Sequence, residues 1–296
     1  MKVLNFGSLN IDYVYKVNHM VERGETLSSR ELCTYPGGKG LNQSVALGKA
    51  GVEVYHAGSI GEEGRFLEEF LGEAGVNTDY VRILPQVKSG HAIIQNDDNG
   101  DNCILLYGGA NQAITREQVD ETLSAFGDGD YLILQNEINE LPYIVKKAHE
   151  KGMKIVLNPS PMDEKALGLP LDQIDYFILN EIEAGQILGI ENGGAQDLAK
   201  ALGERFPGAK IVLTLGGDGS VYFDGVKSYV QEIYKVETVD TTAAGDTFTG
   251  YFIAGVLQEL PVEKAMDMAA KAAAITVSRA GAGVAIPTME EVENFQ

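Results

Sequence analysis

Asp246 stands in a run of small residues, Asp240-Thr241-Thr242-Ala243-Ala244-Gly245-Asp246-Thr247-Phe248, and an apolar segment at helical spacing follows it. Small residues at a helix start leave backbone N–H groups open, and these groups together with the helix dipole attract an anion. Gly245 is the residue expected to let the backbone turn tightly there. A carboxylate in the same turn would repel that anion, a poor arrangement for stability alone. It is useful where the carboxylate takes a proton from a hydroxyl while the amides hold a phosphoryl group in transfer. An N-capping Asp after a Gly-rich turn accounts for the same letters. Both readings stand at this point.

A second Gly-rich turn, Pro36-Gly37-Gly38-Lys39-Gly40-Leu41-Asn42-Gln43, opens a helical stretch that ends at Gly51. Its glycines and lysine describe a turn that binds an anion or a hydroxyl. It does not have the P-loop spacing, and the chain contains no Gly-x-Gly-x-x-Gly, so dinucleotide binding loses its main support. Polar residues also follow short apolar runs: Asn10 and Asp12, then Gln135-Asn136-Glu137, Asn158, Asn180 with Glu183, and Thr214. A turn or a capping box explains any one of them. Repeated at successive strand ends, they suggest one site along a sheet edge, where α/β proteins hold ligands.

The elements that must position these residues alternate. Strands are expected at 3–6, 53–56, 131–134, 154–157, 175–179 and 210–213, separated by helical patterns at 65–73, 116–125, 141–150, 181–188 and 195–205. Short apolar strands alternating with helices predict an α/β fold: a three-layer, doubly wound, mostly parallel sheet with helices on both faces. A further helix at 262–279 puts Ala265, Met268, Ala269, Ala272, Ala273 and Thr276 on one packing face. Two hairpin-like segments, 12–36 around Gly24 and 89–108 around Asp97-Asp98-Asn99-Gly100, interrupt the alternation and suggest a small β-sheet lid or dimer surface. Another hairpin is expected around Asp224-Gly225. Residues 1–296 are read as a single domain carrying the two lid insertions.

Lys plus Arg number 23 against 43 Asp plus Glu, a net charge of −20, which argues against nucleic acid or an anionic membrane as partner. The two cysteines, Cys33 and Cys103, form no metal or redox spacing. No leader-like segment precedes the first strand and no apolar run approaches membrane-spanning length. These features predict a soluble, cytoplasmic protein.

Taken in order, the motifs resemble those of the ribokinase-like carbohydrate kinases, the PfkB family. The resemblance rests on Gly37-Gly38-Lys39-Gly40-Leu41-Asn42-Gln43 and on Asp240 to Phe248. It runs from Gly7-Ser8-Leu9-Asn10-Ile11-Asp12 through Gly24-Glu25-Thr26, Gly108-Gly109-Ala110-Asn111, Asn158-Pro159 and Asn180-Glu181-Ile182-Glu183 to Gly281. It implies an ATP-dependent phosphotransferase acting on the primary hydroxyl of a sugar, with ribose the first expectation, a nucleoside, ketose or deoxysugar the alternative, and a non-catalytic sensor a further one.

By the same resemblance Asn10, Asp12, Gly38, Lys39, Asn42 and Glu137 would hold the sugar. Asp246 would be the base, with the amides of Ala243, Ala244, Gly245 and Asp246 as the anion hole. Asn180, Thr214, Gly216 and Gly219 would serve the nucleotide, and Glu183 would organise Mg²⁺ through water. Asp240, Thr242, Thr276, Arg279 and Gly281 fall at the family's potassium site, mostly through backbone carbonyls. The lid would close over the sugar and pair two subunits as a homodimer. Two departures stand out: Ala285 where family members often carry serine at the cation site, and Ala270 where Asn or His often approaches adenine. Tyr13 and His91 are expected to pack within the lid.

Overall fold

The computed structural model of the chain describes residues 1–98, 101–191 and 193–295. Its strands in chain order are β1 (Val3–Phe6), β2 (Asn10–Lys16), β3 (Glu31–Gly37), β4 (Val54–Ile60), β5 (Asn77–Ile83), β6 (Gly90–Asn96) and β7 (Asn102–Tyr107). They continue with β8 (Tyr131–Gln135), β9 (Lys154–Asn158), β10 (Tyr176–Asn180), β11 (Lys210–Thr214), β12 (Ser220–Phe223) and β13 (Ser228–Gln231). Among the described residues nine of these form one sheet, in the order β13-β12-β11-β10-β9-β8-β1-β4-β5. From β11 to β5 every pairing is parallel, while β12 and β13 add an antiparallel hairpin at one edge.

The central strands are apolar on both sides, and the pleat sends alternate residues to opposite faces. Val3, Ile133, Val156, Ile178 and Val212 enter one core with the helices Lys39–Lys49, Ala244–Leu257 and Val262–Val277. Leu4, Leu132, Leu134, Ile155, Leu157, Phe177, Leu179, Ile211 and Leu213 enter the other with Arg116–Leu123, Leu141–Glu150, Glu181–Leu188 and Ala195–Arg205. The result is the three-layer, doubly wound α/β arrangement. The chain leaves β1 towards β4 and β5 on one side and later fills β8 to β11 on the other, so the switch point lies at β1.

β2, β3, β6 and β7 form a separate sheet in the order β3-β2-β6-β7. The two expected hairpins are there, but they join through a parallel pairing of β2 with β6, so the small sheet is mixed. Of the turn expected at Asp97-Asp98-Asn99-Gly100, Asn99 and Gly100 lie outside the described residues.

Two expectations are corrected. β5 has no counterpart in the sequence reading, because Asn-Thr-Asp-Tyr-Val-Arg-Ile is a half-exposed edge strand without an apolar run. On Val262–Val277, Met266 and Ile275 are buried deep in the core, whereas Met268 and Ala273 are only partly buried against it.

The helices Lys39–Lys49 and Ala244–Leu257, which carry the two Gly-rich motifs, meet at Gly250. A Cβ at that position would run into the Ala46 methyl and lie 3.1 Å from the Leu47 amide nitrogen. The missing side chain therefore sets how closely the two motif helices approach.

Candidate active site

A cavity of about 490 Å³ opens beyond the carboxyl ends of the parallel strands, between the large sheet and the lid. Gln135 pairs in register with Asn158, and Asn180 with Thr214, so the polar strand ends fall in a row. Asn158, Asn180 and Thr214 line the cavity, with Glu137 just past the end of β8.

The first Gly-rich turn is built against β1. Gly38, at φ 96°, is a left-handed position that suits glycine. A Cβ on Gly40 would collide with the backbone of Gly7 and Ser8. This close approach lets the helix start bond back: the Leu41 amide donates to the Ser8 carbonyl (2.9 Å), the Gly40 amide to Ser8 Oγ (3.2 Å) and the Lys39 amide to Glu137 Oε2 (3.0 Å). The anion this turn binds is thus its own Glu137, to which Ser8 Oγ also donates.

The second turn differs. The left-handed residue is Ala243, at φ 62°, not Gly245, which sits inside the helix with open space where a Cβ would be. No side chain caps this helix, and Ala243, Ala244, Gly245 and Asp246 all line the cavity. Asp246 is not a capping residue. Its Oδ2 accepts from Asn42 Nδ2 (3.0 Å) and its Oδ1 from Gln43 Nε2 (2.9 Å), and the residue is only 8% exposed. At Asn180–Glu183, by contrast, the capping box is real: Asn180 Oδ1 accepts from the Glu183 amide (2.9 Å) and Glu183 Oε2 from the Asn180 amide (3.0 Å). Both residues also line the cavity, so the cap and the site coincide.

Asn10 Oδ1 accepts from Asn111 Nδ2 (2.7 Å), which turns the Asn10 donor to other partners, and Asn42 Oδ1 is buried without a partner among the described residues. Burial and the neighbouring Glu137 carboxylate push Asp12 up to about 7. Burial also raises Glu137, opposed by Lys39 and by the Ser8 and Lys39 hydrogen bonds. Burial works against the Lys39 ammonium, but Asp246, Glu137 and Glu183 outweigh it and hold the group above its ordinary value. One cation among four carboxylates suits a neutral ligand with many hydroxyl donors better than an anionic acceptor.

The predicted residues Asn10, Asp12, Gly38, Lys39, Asn42, Glu137, Asn180, Glu183, Thr214, Thr242 and Ala243 to Asp246 share this cavity. Gly216 and Gly219 are not among its lining residues. They shape the β11–β12 turn, where a Cβ on Gly219 would strike the Gln231 carbonyl. Asp240, Thr242 and Gly281 meet nearby: Asp240 Oδ1 accepts from the Thr242 amide (2.9 Å) and hydroxyl (2.6 Å), and Oδ2 from the Gly281 amide (3.1 Å). Two side chains of that set are engaged elsewhere: Thr276 Oγ1 contacts Thr247 Oγ1 (3.1 Å) and Arg279 pairs with Glu291 (2.6 Å). No cluster of three or more His, Cys, Asp or Glu that could hold a metal occurs among the described residues.

The roof of the cavity adds residues not expected from the sequence. Ala92 and Ile94 on β6 and Ile104 and Leu106 on β7 line the cavity, and their period-2 spacing was the available signal. No role for Gln43 was expected from the sequence either. Tyr13 and His91 pack edge to face (5.9 Å between ring centres) and His91 lies against Tyr107 (4.9 Å), as expected for lid packing.

A crevice at the switch point of a three-layer α/β sheet, with a buried carboxylate beside an uncapped helix start and a small sheet as cover, defines a sugar-kinase type of site. The chain belongs to the pfkB family of carbohydrate kinases, whose model matches residues 1–289. It is 32% identical over 298 residues to a ribokinase of Haemophilus influenzae, covering 98% of this chain and 96% of that protein. It is 35% identical over 305 residues to a ribokinase of Staphylococcus aureus, covering 98% of both. The structure of Arabidopsis thaliana ribokinase complexed with ribose and ATP superposes with a TM-score of 0.87 at 28% identity, over 99% of this chain and 97% of that one.

Proposed function

We propose that this carbohydrate kinase transfers the γ-phosphoryl group of ATP to the primary hydroxyl of D-ribose, giving ribose 5-phosphate and ADP. The observation that carries the reading is the position of Asp246. Asn42 and Gln43 hold it at the wall shared by the hydroxyl-binding set (Asn10, Asp12, Lys39, Glu137) and the strand ends Asn180 and Thr214. Asp246 accepts the proton of the hydroxyl as its oxygen bonds to the γ-phosphorus. The bond from that phosphorus to the β,γ-bridging oxygen breaks, and ADP leaves with the electron pair. The amides of Ala243, Gly245 and Asp246 meet the charge on the transferring group, while the Ala244 amide donates to the Thr241 carbonyl (3.3 Å). The apolar roof of Ala92, Ile94, Ile104 and Leu106 keeps water from competing with the sugar.

Mg²⁺ suits the oxygen donors near the nucleotide side, where Glu183 would hold its waters; when bound it neutralises phosphate charge. K⁺ is the proposed activator at the Asp240–Thr242–Gly281 loop. Both Asp240 carboxylate oxygens are already engaged, so main-chain carbonyls would supply its ligands. The domain assignment is one domain with the lid as a two-part insertion.

A homodimer through the lid accounts for edge strand β7, where Ile104, Leu105, Leu106 and Tyr107 are 53–66% exposed. Sedimentation as a monomer at micromolar concentration would remove it. A cytoplasmic location fits the free Cys33 and Cys103, and no helix among the described residues is long and apolar enough to cross a membrane.

The test is ADP formation with ATP and a panel of ribose, deoxyribose, fructose, adenosine, inosine and cytidine, with and without potassium. Ribose should give the highest kcat/KM. A nucleoside or another sugar in first place would reassign the acceptor, and sugar binding without ADP would replace the kinase by a sensor.

A further inference from the structure

Behind Asp246 lies a chain of buried side-chain amides. Gln43 Nε2 donates to Asp246 Oδ1 (2.9 Å) and to Asn158 Oδ1 (3.2 Å), while its Oε1 accepts from Gln135 Nε2 (2.6 Å). Gln135 Nε2 also donates to Asn5 Oδ1 (3.1 Å), and Asn5 Nδ2 donates to the Gly40 carbonyl (2.9 Å). Asn5, Gln43 and Gln135 are 0–1% exposed.

The polarity of this chain is fixed from two ends. A backbone carbonyl only accepts, so Gly40 forces Asn5 to present its oxygen to Gln135. Gln135 must then offer its NH₂ to both Asn5 and Gln43, and Gln43 must turn its own NH₂ towards Asp246. Independently, Asn158 Nδ2 donates to the Ile178 carbonyl (2.8 Å), so Asn158 also presents oxygen to Gln43. Flipping Gln43 would set oxygen against oxygen at Asp246 and Asn158 and NH₂ against NH₂ at Gln135. The arrangement has a cost: Gln135 Oε1 is buried without a partner among the described residues. A lone polar group left so is expensive, and a purely structural core would replace it with an apolar residue.

We infer that Gln43 is the positioning residue for Asp246: locked through Gln135 and Asn158 to the sheet, it fixes which lone pairs of the carboxylate face the sugar hydroxyl. This rests on the kinase reading above. The charged groups that also act on Asp246 are Lys39 and Glu137; Glu183 faces Lys39, and Asp12 faces Glu137. Among the described residues none of these four hydrogen-bonds to the Gln43 side chain.

The experiment is steady-state ADP formation with ATP and the best acceptor of the panel, for wild type, Asp246→Asn, Gln43→Met, Gln43→Glu and Gln135→Met. Loss of a hydrogen bond to a charged acceptor predicts a fall in kcat of roughly 10- to 100-fold for Gln43→Met, with KM for sugar and ATP nearly unchanged. Withdrawing a donor from a carboxylate eases its protonation, so the acidic limb of kcat, read at saturating sugar where Asp12 no longer governs binding, moves to higher pH. Gln43→Glu keeps the shape but sets a second carboxyl beside the first and moves the limb further. Gln135→Met, which never touches Asp246, moves it in the same direction but less. A structural role alone lowers activity without moving the limb. Wild type that forms no ADP, or Asp246→Asn as active as wild type, overturns the kinase reading. An active wild type with the limb unmoved in the Gln43 and Gln135 variants overturns the positioning alone. Should Gln43→Met fail to fold, the isosteric Gln43→Glu and Gln135→Met decide by the same criterion.

Discussion

Asn42 and Asp246 are 204 positions apart in the chain and joined by a buried hydrogen bond of 3.0 Å. The bond makes one device of the two Gly-rich motifs: the first brings Lys39 to the cavity and supplies the donor that steadies the carboxylate, the second the carboxylate and the helix start beside it. Asp246→Asn keeps the volume but removes the proton acceptor. Turnover should fall by roughly 10²- to 10⁴-fold while ATP still binds. Single-turnover ADP formation beside a nucleotide-binding titration checks this, and a rate within a few-fold of wild type would remove Asp246 from its role.

Gly250 governs the same relationship from one turn further along its helix. Its missing Cβ is what lets the Ala46 and Leu47 surface approach. Gly250→Ala should push the motif helices apart, costing about 1–3 kcal/mol of stability and lowering kcat with little change in KM. Thermal unfolding and kinetics together test it. A lower Tm with kcat intact would show that helix spacing does not set the carboxylate.

Ala243 holds a left-handed conformation at φ 62° at the start of the helix Ala244–Leu257. An L-residue there costs about 1–2 kcal/mol, and glycine would relieve that while losing about 0.5–1 kcal/mol through its freer unfolded state. Ala243→Gly should therefore leave Tm unchanged or slightly raised, with activity kept. Ala243→Val, β-branched in a region that disfavours it, should lose both stability and turnover. Val tolerated as well as Gly would mean that the turn does not depend on this backbone conformation.

The parts of the site readable from sequence were those whose signal is local. Five-residue apolar runs ending in Asn, Gln or Thr announced both the sheet and its polar edge, and small residues before Asp246 announced the open helix start. Gln43 and Gln135 were not readable in this way. A glutamine inside a helix or at a strand end looks solvated until the fold brings together partners 92 and 203 positions apart. Gly245 drew the tight turn to itself because glycine favours positive φ, yet it lies inside the helix where a Cβ would meet nothing, and the left-handed position falls on Ala243. Glu183 fitted a cap and a metal-organising carboxylate equally well, because in the fold it caps the helix while facing the cavity.

Asp12 gives the site a pH dependence of definite sign. Burial and the Glu137 carboxylate lift it from an ordinary value of 3.8 to about 7. Between those values the folded chain binds more protons than the unfolded one, so this group's contribution to stability falls as pH rises from 4 towards 7. Asp12→Asn removes that dependence. Its unfolding free energy should exceed wild type above pH 7 by on the order of 1–3 kcal/mol, since each pKa unit corresponds to about 1.4 kcal/mol before relaxation, and the gap should close below pH 4. Sugar binding should run the other way, because hydroxyls donate to the ionised carboxylate: affinity falls from pH 8 to pH 6 in wild type and stays flat, and weaker, in Asp12→Asn. Gly37→Ala offers a control that keeps the carboxylate, since a Cβ there collides with the Asp12 carboxyl group and must displace it. It should weaken sugar binding at every pH. Denaturant unfolding and sugar titration across pH 4–8 measure both effects, and parallel curves for wild type and Asp12→Asn would mean that Asp12 titrates where an exposed aspartate does.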